Sequence, residues 1–137
     1  MAREHTYNYV NEVDILVIHD HILEATGGMD DIRDIKLLRS VAFRPKTACG
    51  GKDMFITLFD KASAYYEALA CYHVFNDANK RTAFVVTARS LEQNGYTIIA
   101  TEKAIEKTTL AVAAQEIELA DIALWLKKNS KKINTRR

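Results

Sequence analysis

Nine consecutive residues, His73-Val74-Phe75-Asn76-Asp77-Ala78-Asn79-Lys80-Arg81, separate two apolar runs that each carry helical spacing. Upstream, Phe55, Leu58, Phe59, Ala62, Tyr65, Tyr66 and Leu69 form a wide stripe at intervals of three and four. Downstream, Ala83, Phe84, Thr87 and Leu91 do the same. The chain therefore has to build two helices that meet at a short polar loop, and the rest must pack around that pair. The aromatic density of the first run reads as core packing rather than a base-stacking surface, because it keeps helical intervals throughout. Phe75, the one apolar ring inside the loop, reads as its inward anchor.

The loop concentrates an imidazole, a carboxylate, amides and two cations. Helix capping accounts for one such residue, since Asp77 or Asn79 is the type that satisfies free N–H groups at a helix start. It accounts for neither the imidazole nor the paired cations. A loop entering a helix brings free backbone N–H groups and the positive end of the helix dipole together, which is a ready anion site. Ala78 has a side chain small enough to let that backbone approach a phosphate. Lys80 and Arg81 add charge, Arg81 as a planar fork suited to phosphate oxygens. Asp77 is able to hold magnesium, which takes one or two carboxylates plus substrate phosphates. The His73 imidazole can accept the proton of an attacking hydroxyl. These are the parts of a phosphoryl or nucleotidyl transfer site.

The remaining chain adds helices. Residues 1–9 show no periodicity and read as a loose lead-in. Over residues 11–25, Val13, Leu16, Val17 and Leu23 fit one stripe, stopped by Gly27-Gly28. His19 and His21 lie two apart, on different helix faces, which argues against a metal pair. Asp30 or Asp31 is a candidate cap for a second helix burying Ile32, Ile35, Leu38 and Val41, ended by Arg44-Pro45. Residues 46–52, with Gly50-Gly51, form a flexible turn without core character. Asp53 reads as the cap of the third helix. The fourth helix spans 79–94 and stops at Gly95. Residues 96–99 are β-prone but isolated. A fifth helix follows Thr101, burying Ile105, Thr108 or Thr109, and Val112, and a sixth covers 119–128 with Ile122, Trp125 and Leu126.

The expectation is an all-α, single-domain helical bundle of about six helices with a short hairpin or loop over 46–52. The domain covers 1–137, with its core in 10–128 and a frayed basic tail over 129–137. At 137 residues, 48% apolar and 27% charged, the chain is ordinary for one soluble core. A net charge of +1 gives no sign of direct nucleic-acid binding or of an anionic membrane surface. No signal peptide opens the chain, and no apolar run reaches the length of a membrane span. Cys49 and Cys71 are too few for a disulfide framework and read as free thiols in a reducing cytoplasm.

The pattern His73-x-Phe75-x-Asp77-Ala78-Asn79-Lys80-Arg81 resembles the signature of the Fic/Doc superfamily, in the form typical of Doc (death-on-curing) toxins. Most Fic enzymes carry glycine before the asparagine and often another after it; Ala78 and Lys80 stand there in this chain. Gly27-Gly28, Ile32-Arg33-Asp34, Leu37-Leu38 and Arg44-Pro45 fall where Doc-like proteins have similar elements. The resemblance covers roughly residues 10–128, strongly in the loop and weakly outside it. It implies a Fic fold, with residues 46–52 in the place of the flap, a short hairpin over the active-site mouth.

The resemblance also implies an activity. Fic enzymes in general transfer AMP from ATP to a protein hydroxyl, whereas Doc-like members place the γ-phosphate on a threonine of elongation factor Tu and stop translation. On this basis the cofactors are ATP and Mg2+. His73 is the general base, Asp77 the magnesium ligand, and Ala78, Asn79, Lys80 and Arg81 the phosphate contacts. Two competing expectations are a Fic-type AMP-transferase and a non-catalytic module that uses the loop to hold an anionic peptide. An enzyme acting on a small molecule fits less well, since no deep glycine-rich nucleotide loop is present. The inhibitory motif of many Fic enzymes, Ser/Thr-x-x-x-Glu followed by Gly or Asn, is approached only by Thr101 to Glu106, one residue too long and followed by Lys107. Restraint is therefore expected in trans, from an antitoxin similar to the prevent-host-death proteins, whose disordered tail becomes a helix in an apolar groove.

Overall fold

The computed structural model describes residues 6–29 and 32–133. These form α1 (Glu12–Thr26), α2 (Ile35–Phe43), a 3-10 turn (Arg44–Lys46), β1 (Ala48–Cys49), β2 (Lys52–Asp53) and α3 (Leu58–Cys71). They continue as α4 (Asn79–Glu92), β3 (Tyr96–Ile98), α5 (Glu102–Ala113), α6 (Leu119–Lys128) and β4 (Ser130–Lys132). Six helices and two small antiparallel strand pairs, β1–β2 and β3–β4, make a mostly helical bundle, as the periodicity predicts.

Helix α3 is the axis of the core. Thr57 caps it: its hydroxyl accepts the Asp60 N–H at 3.0 Å and the Asp60 carboxylate accepts the Thr57 N–H at 3.1 Å, satisfying two donors reciprocally. Beyond that first turn nearly every residue is buried, because α4 packs along it most extensively, followed by α6 and then α5. Tyr65 and Tyr66 are fully buried, and each hydroxyl has a partner. Tyr65 donates to the Val10 carbonyl at 3.0 Å and accepts the Val10 N–H at 2.9 Å. Tyr66 shares a hydrogen with Thr109 of α5. Burial pushes the Tyr66 phenol up to about 12, and the Thr109 hydroxyl offsets part of that rise.

Several local expectations are revised. In α1 the buried face is Ile15, Ile18, His19 and Leu23, while Val13 and Val17 are exposed. The stripe is rotated because His19 is drawn inward by partners on the signature loop. Helix α2 is capped by Asp34, whose side chain accepts the Leu37 N–H at 3.0 Å; Asp30 and Asp31 lie outside the described residues. Leu38 and Val41 are buried as expected, but Ile32 precedes the helix and Ile35 opens it, and both are exposed. Asp53 does not cap α3; it closes the β1–β2 hairpin.

Residues 6–10 are not a loose lead-in either. Tyr7 donates to the Ile56 carbonyl at 3.4 Å, and Asn8 exchanges hydrogen bonds with Asn94. Residues 96–98 are paired rather than isolated, because β4 supplies the partner strand with Tyr96 opposite Lys132 and Ile98 opposite Ser130. The basic tail is thus ordered through residue 133, with Ile99 N–H on the Asn129 carbonyl and Ile133 N–H on the Gly95 carbonyl. Residues 134–137 lie outside the described residues.

Candidate active site

The loop between α3 and α4 is held by three independent contacts. From its own chain, Asn79 accepts the Phe75 N–H at 3.1 Å and donates to the Phe75 carbonyl at 2.9 Å. From the α1–α2 connection, Ile32 forms an antiparallel bridge with Phe75, and the N–H groups of Arg33 and Asp34 both reach the Val74 carbonyl, at 2.8 and 3.2 Å. The Arg33 guanidinium donates to the carbonyls of His73 and Tyr72. From α1, the buried His19 ring stacks on Phe75 with centroids 3.7 Å apart, and its Nε2 lies 2.9 Å from the Asp77 carbonyl. Val74 and Phe75 are buried, so the loop is anchored through its apolar residues and exposes its polar ones.

His73 opens the loop with a positive φ of 55° and an exposed side chain. Ala78, at φ 62° and ψ 25°, is the left-handed residue that precedes α4, and it is almost fully buried. Among the described residues no side chain caps α4. Asp77 Oδ1 accepts the Ala78 N–H at 2.8 Å, and the helical ladder begins with the Thr82 N–H on the Ala78 carbonyl at 2.9 Å. The N–H groups of Asn79, Lys80 and Arg81 are left without a helical acceptor at the positive end of the dipole. Free N–H groups at the positive end of a helix dipole are able to receive an anion.

Arg81 lies 3.9 Å from Asp77 Oδ1 and donates to the Thr26 hydroxyl at the end of α1. Lys80 is exposed and makes no ion pair among the described residues. Both cations border a groove of about 600 Å3 between α4 and α5, with Phe84, Ile105 and Leu110 on its apolar wall and Lys103 at its rim. Arg81 also borders a second groove of about 640 Å3, between α1 and α4.

Asp77 fits the donor set of a magnesium–nucleotide site. Among the described residues its Oδ2 receives only a long contact from the Met29 N–H at 3.4 Å, so acceptor capacity remains. No cluster of three or more His, Cys, Asp or Glu surrounds it among the described residues. One carboxylate completed by phosphates and waters is how magnesium is held beside nucleotides, rather than by an all-protein cage.

The structure therefore brings Asp77, Ala78, Lys80 and Arg81 together, with His73 at the start of the same loop. Asn79 has its side chain and its backbone turned to different partners. Its side-chain amide is committed to the Phe75 backbone, and only its N–H faces the helix mouth. Three contributors escaped the sequence reading. His19 could have been found, because Ile15, His19 and Leu23 share one face at intervals of four. Gly28 was read as a helix stop and as part of a Doc-like element but given no part in the site, yet a Cβ there meets Asp77 Oδ2 at 2.8 Å and Leu23 at 2.9 Å. Arg33 carries no local signal, since its carbonyl partners lie about 40 residues away.

Comparison with known proteins agrees with this geometry. The family model described as Fic/DOC family matches residues 9–91, more than half the chain and all of the loop. Toxin Doc of Mycolicibacterium smegmatis is 35% identical over 105 residues, covering 74% of this chain and 80% of its own length. Protein kinase doc of Escherichia phage P1 is 25% identical over 120 residues, covering 88% of this chain and 94% of its own. With the signature loop braced on three sides at the mouth of α4, and with these matches, the chain belongs to the Fic/DOC family.

Proposed function

We propose that this protein is a Doc-type toxin and a transferase that moves the γ-phosphate of ATP to a hydroxyl of a translation factor, with elongation factor Tu as the expected target. The observation that carries the reading is the mouth of α4. Three N–H groups without helical acceptors stand beside Lys80 and Arg81, on a loop fixed from three directions. In phosphoryl transfer, positioning and charge neutralisation supply most of the catalysis, and this arrangement offers both.

The target hydroxyl oxygen bonds to the γ-phosphorus as the bond to the β–γ bridging oxygen breaks and ADP departs. The hydroxyl proton passes to His73, whose exposed imidazole has no hydrogen-bond partner among the described residues. The N–H groups of residues 79–81 and the two cations receive phosphate oxygens, and Ala78 keeps the approach open. Bound magnesium supplies further neutralisation of phosphate charge, and Asp77 is the residue that would hold it. Lys80, where AMP-transferring relatives have glycine, favours the more charged end of ATP and thus transfer of phosphate rather than AMP. One relative is itself named a protein kinase, which supports the same choice.

The β1–β2 hairpin is the flap, and its exposed strands offer a backbone edge to the target chain. Such a target places the action in the cytoplasm. Restraint comes from an antitoxin similar to the prevent-host-death proteins. The α1–α4 groove, flanked by the exposed Val17 and ending at Arg81, is the surface for its helical tail. Incubating the protein with cell extract and ATP labelled at the α- or the γ-phosphate tests the reading. Label from the γ-position alone should reach protein; α-label on protein overturns phosphate transfer in favour of AMP transfer, and no label on protein overturns transfer altogether.

A further inference from the structure

Lys61 is the fourth residue of α3, and its side chain is only 3% exposed. Three oxygens surround its ammonium: the Phe55 carbonyl at 2.7 Å, the Pro45 carbonyl at 3.3 Å and the Asp53 carboxylate at 3.6 Å. The rings of Tyr7 and Tyr9 lie beside it, with centroids at 5.1 and 5.8 Å. Two of the three N–H donors of the ammonium are served by the carbonyls, and the Asp53 carboxylate adds an ion pair. The helix gains nothing from this cation. The α3 start is already capped by Thr57 and Asp60, and a positive charge in the first turns opposes the dipole. Burying a charge is also costly compared with an apolar side chain of the same volume.

The oxygens explain the residue. Pro45 precedes the β1–β2 hairpin, Asp53 ends it and Phe55 follows it, so one buried cation spans both feet of the flap. The hairpin needs such a hold. Its ladder is two residue pairs, Ala48 with Asp53 and Cys49 with Lys52, all four exposed, extended by the Met54 N–H on the Thr47 carbonyl at 2.9 Å. A two-stranded hairpin of that size is marginal by itself in water. The same foot touches the site: Thr47 and Tyr72 line one cavity of about 270 Å3, and Tyr72 is the residue before His73. Arg44 continues the brace, its guanidinium 5.5 Å from the Phe55 ring centroid and 5.6 Å from that of Tyr72.

We infer that Lys61 is a positioning residue for target docking: it clips the two feet of the flap together and so holds the docking edge at the mouth of the site. The inference rests on the proposed role of the flap in receiving a protein substrate. Lys61→Met keeps the stem and removes the three donors. Asp53→Ala removes one acceptor at an exposed position and serves if the first variant does not fold.

Hydrogen exchange on the full-length protein without nucleotide reads the clip directly. Amides of residues 47–54 should exchange at least about tenfold faster in Lys61→Met, the factor that one lost charge-assisted hydrogen bond corresponds to. The interior of α3 and α4 should keep its protection. Asp53→Ala should move the same amides in the same direction by less. In the transfer assay, KM for the protein target should rise about tenfold while ATP affinity stays within about twofold. The inference is overturned if the flap of a folded Lys61→Met protein exchanges at the wild-type rate, or if it exchanges faster with target KM unchanged. A wild-type protein that transfers nothing refutes the proposed function instead, and the exchange measurement still decides whether the clip exists.

Discussion

Replacing Asn79 by Ala separates a loop clamp from a phosphate ligand. The side chain makes two hydrogen bonds to one backbone unit, at 3.1 and 2.9 Å, and Phe75 is itself buried under the His19 ring. Each such bond contributes about 0.5–1.5 kcal/mol net, and an orphaned buried partner sits at the upper end. Losing both should cost about 2 kcal/mol. For a domain of 137 residues the unfolding entropy makes each kcal/mol worth about 3–4 °C, so Tm should fall by about 7 °C. Denaturant melts and a thermal scan measure that loss. Nucleotide binding by calorimetry, run well below the lowered Tm, should weaken as the loop loosens. Asn79→Asp keeps an acceptor for the Phe75 N–H but sets a carboxylate against the Phe75 carbonyl, so it should lose stability as well. The clamp reasoning is refuted if Asn79→Ala melts with the wild type and binds nucleotide far more weakly, because the amide would then be serving the phosphate.

Four further outcomes are expected. His73→Ala should relieve growth arrest and lower the transfer rate by about 10² to 10⁴ while Tm is unchanged; full toxicity in the folded variant removes His73 as base. Asp77→Ala should abolish the magnesium dependence of nucleotide binding and cost about 1 kcal/mol in stability, since it ends one short bond to the Ala78 N–H, a long contact with the Met29 N–H and a loose, half-exposed ion pair with Arg81; paired calorimetry with and without magnesium checks this. Lys80→Gly should reduce γ-phosphate transfer, and the intact mass of the modified target shows whether phosphate or AMP was added. Proline at pairing positions within residues 46–52 should impair target modification more than side-chain swaps do, as a rate comparison across the series would show, because strand addition draws on backbone hydrogen bonds.

What the sequence disclosed followed from local rules. Periodicity placed all six helices, and the boundaries of α6 and the start of α4 emerge as the spacing predicts. The polar loop announced itself because no packing rule explains its composition. What stayed hidden depended on distant partners. His19 turned inward through a ring and a carbonyl on the loop, and that rotated the whole α1 stripe away from Val13 and Val17. Asn79 was a possible helix cap by residue type and a phosphate contact only through the resemblance; its two bonds to the Phe75 backbone reach back across a turn whose left-handed Ala78 alanine does not advertise. The tail looked frayed because it is basic and polar, yet three residues of backbone pairing with β3 need no apolar side chains.

That last pairing has a consequence for how the molecule comes into being. Asn8 and Ile133 both fasten to the same turn, residues 93–95, at the end of α4 far from the site. The join between residues 8 and 94 bridges 86 positions, and the β3–β4 ladder waits for residues 130–132. Domains emerge from the ribosome N-terminus first, and long-range pairing forms late. The far end of α4 can therefore be tied off only once residues 130–133 have left the exit tunnel, well after the signature loop has emerged. Synthesis thus imposes its own delay between making the signature loop and locking the helix that presents it.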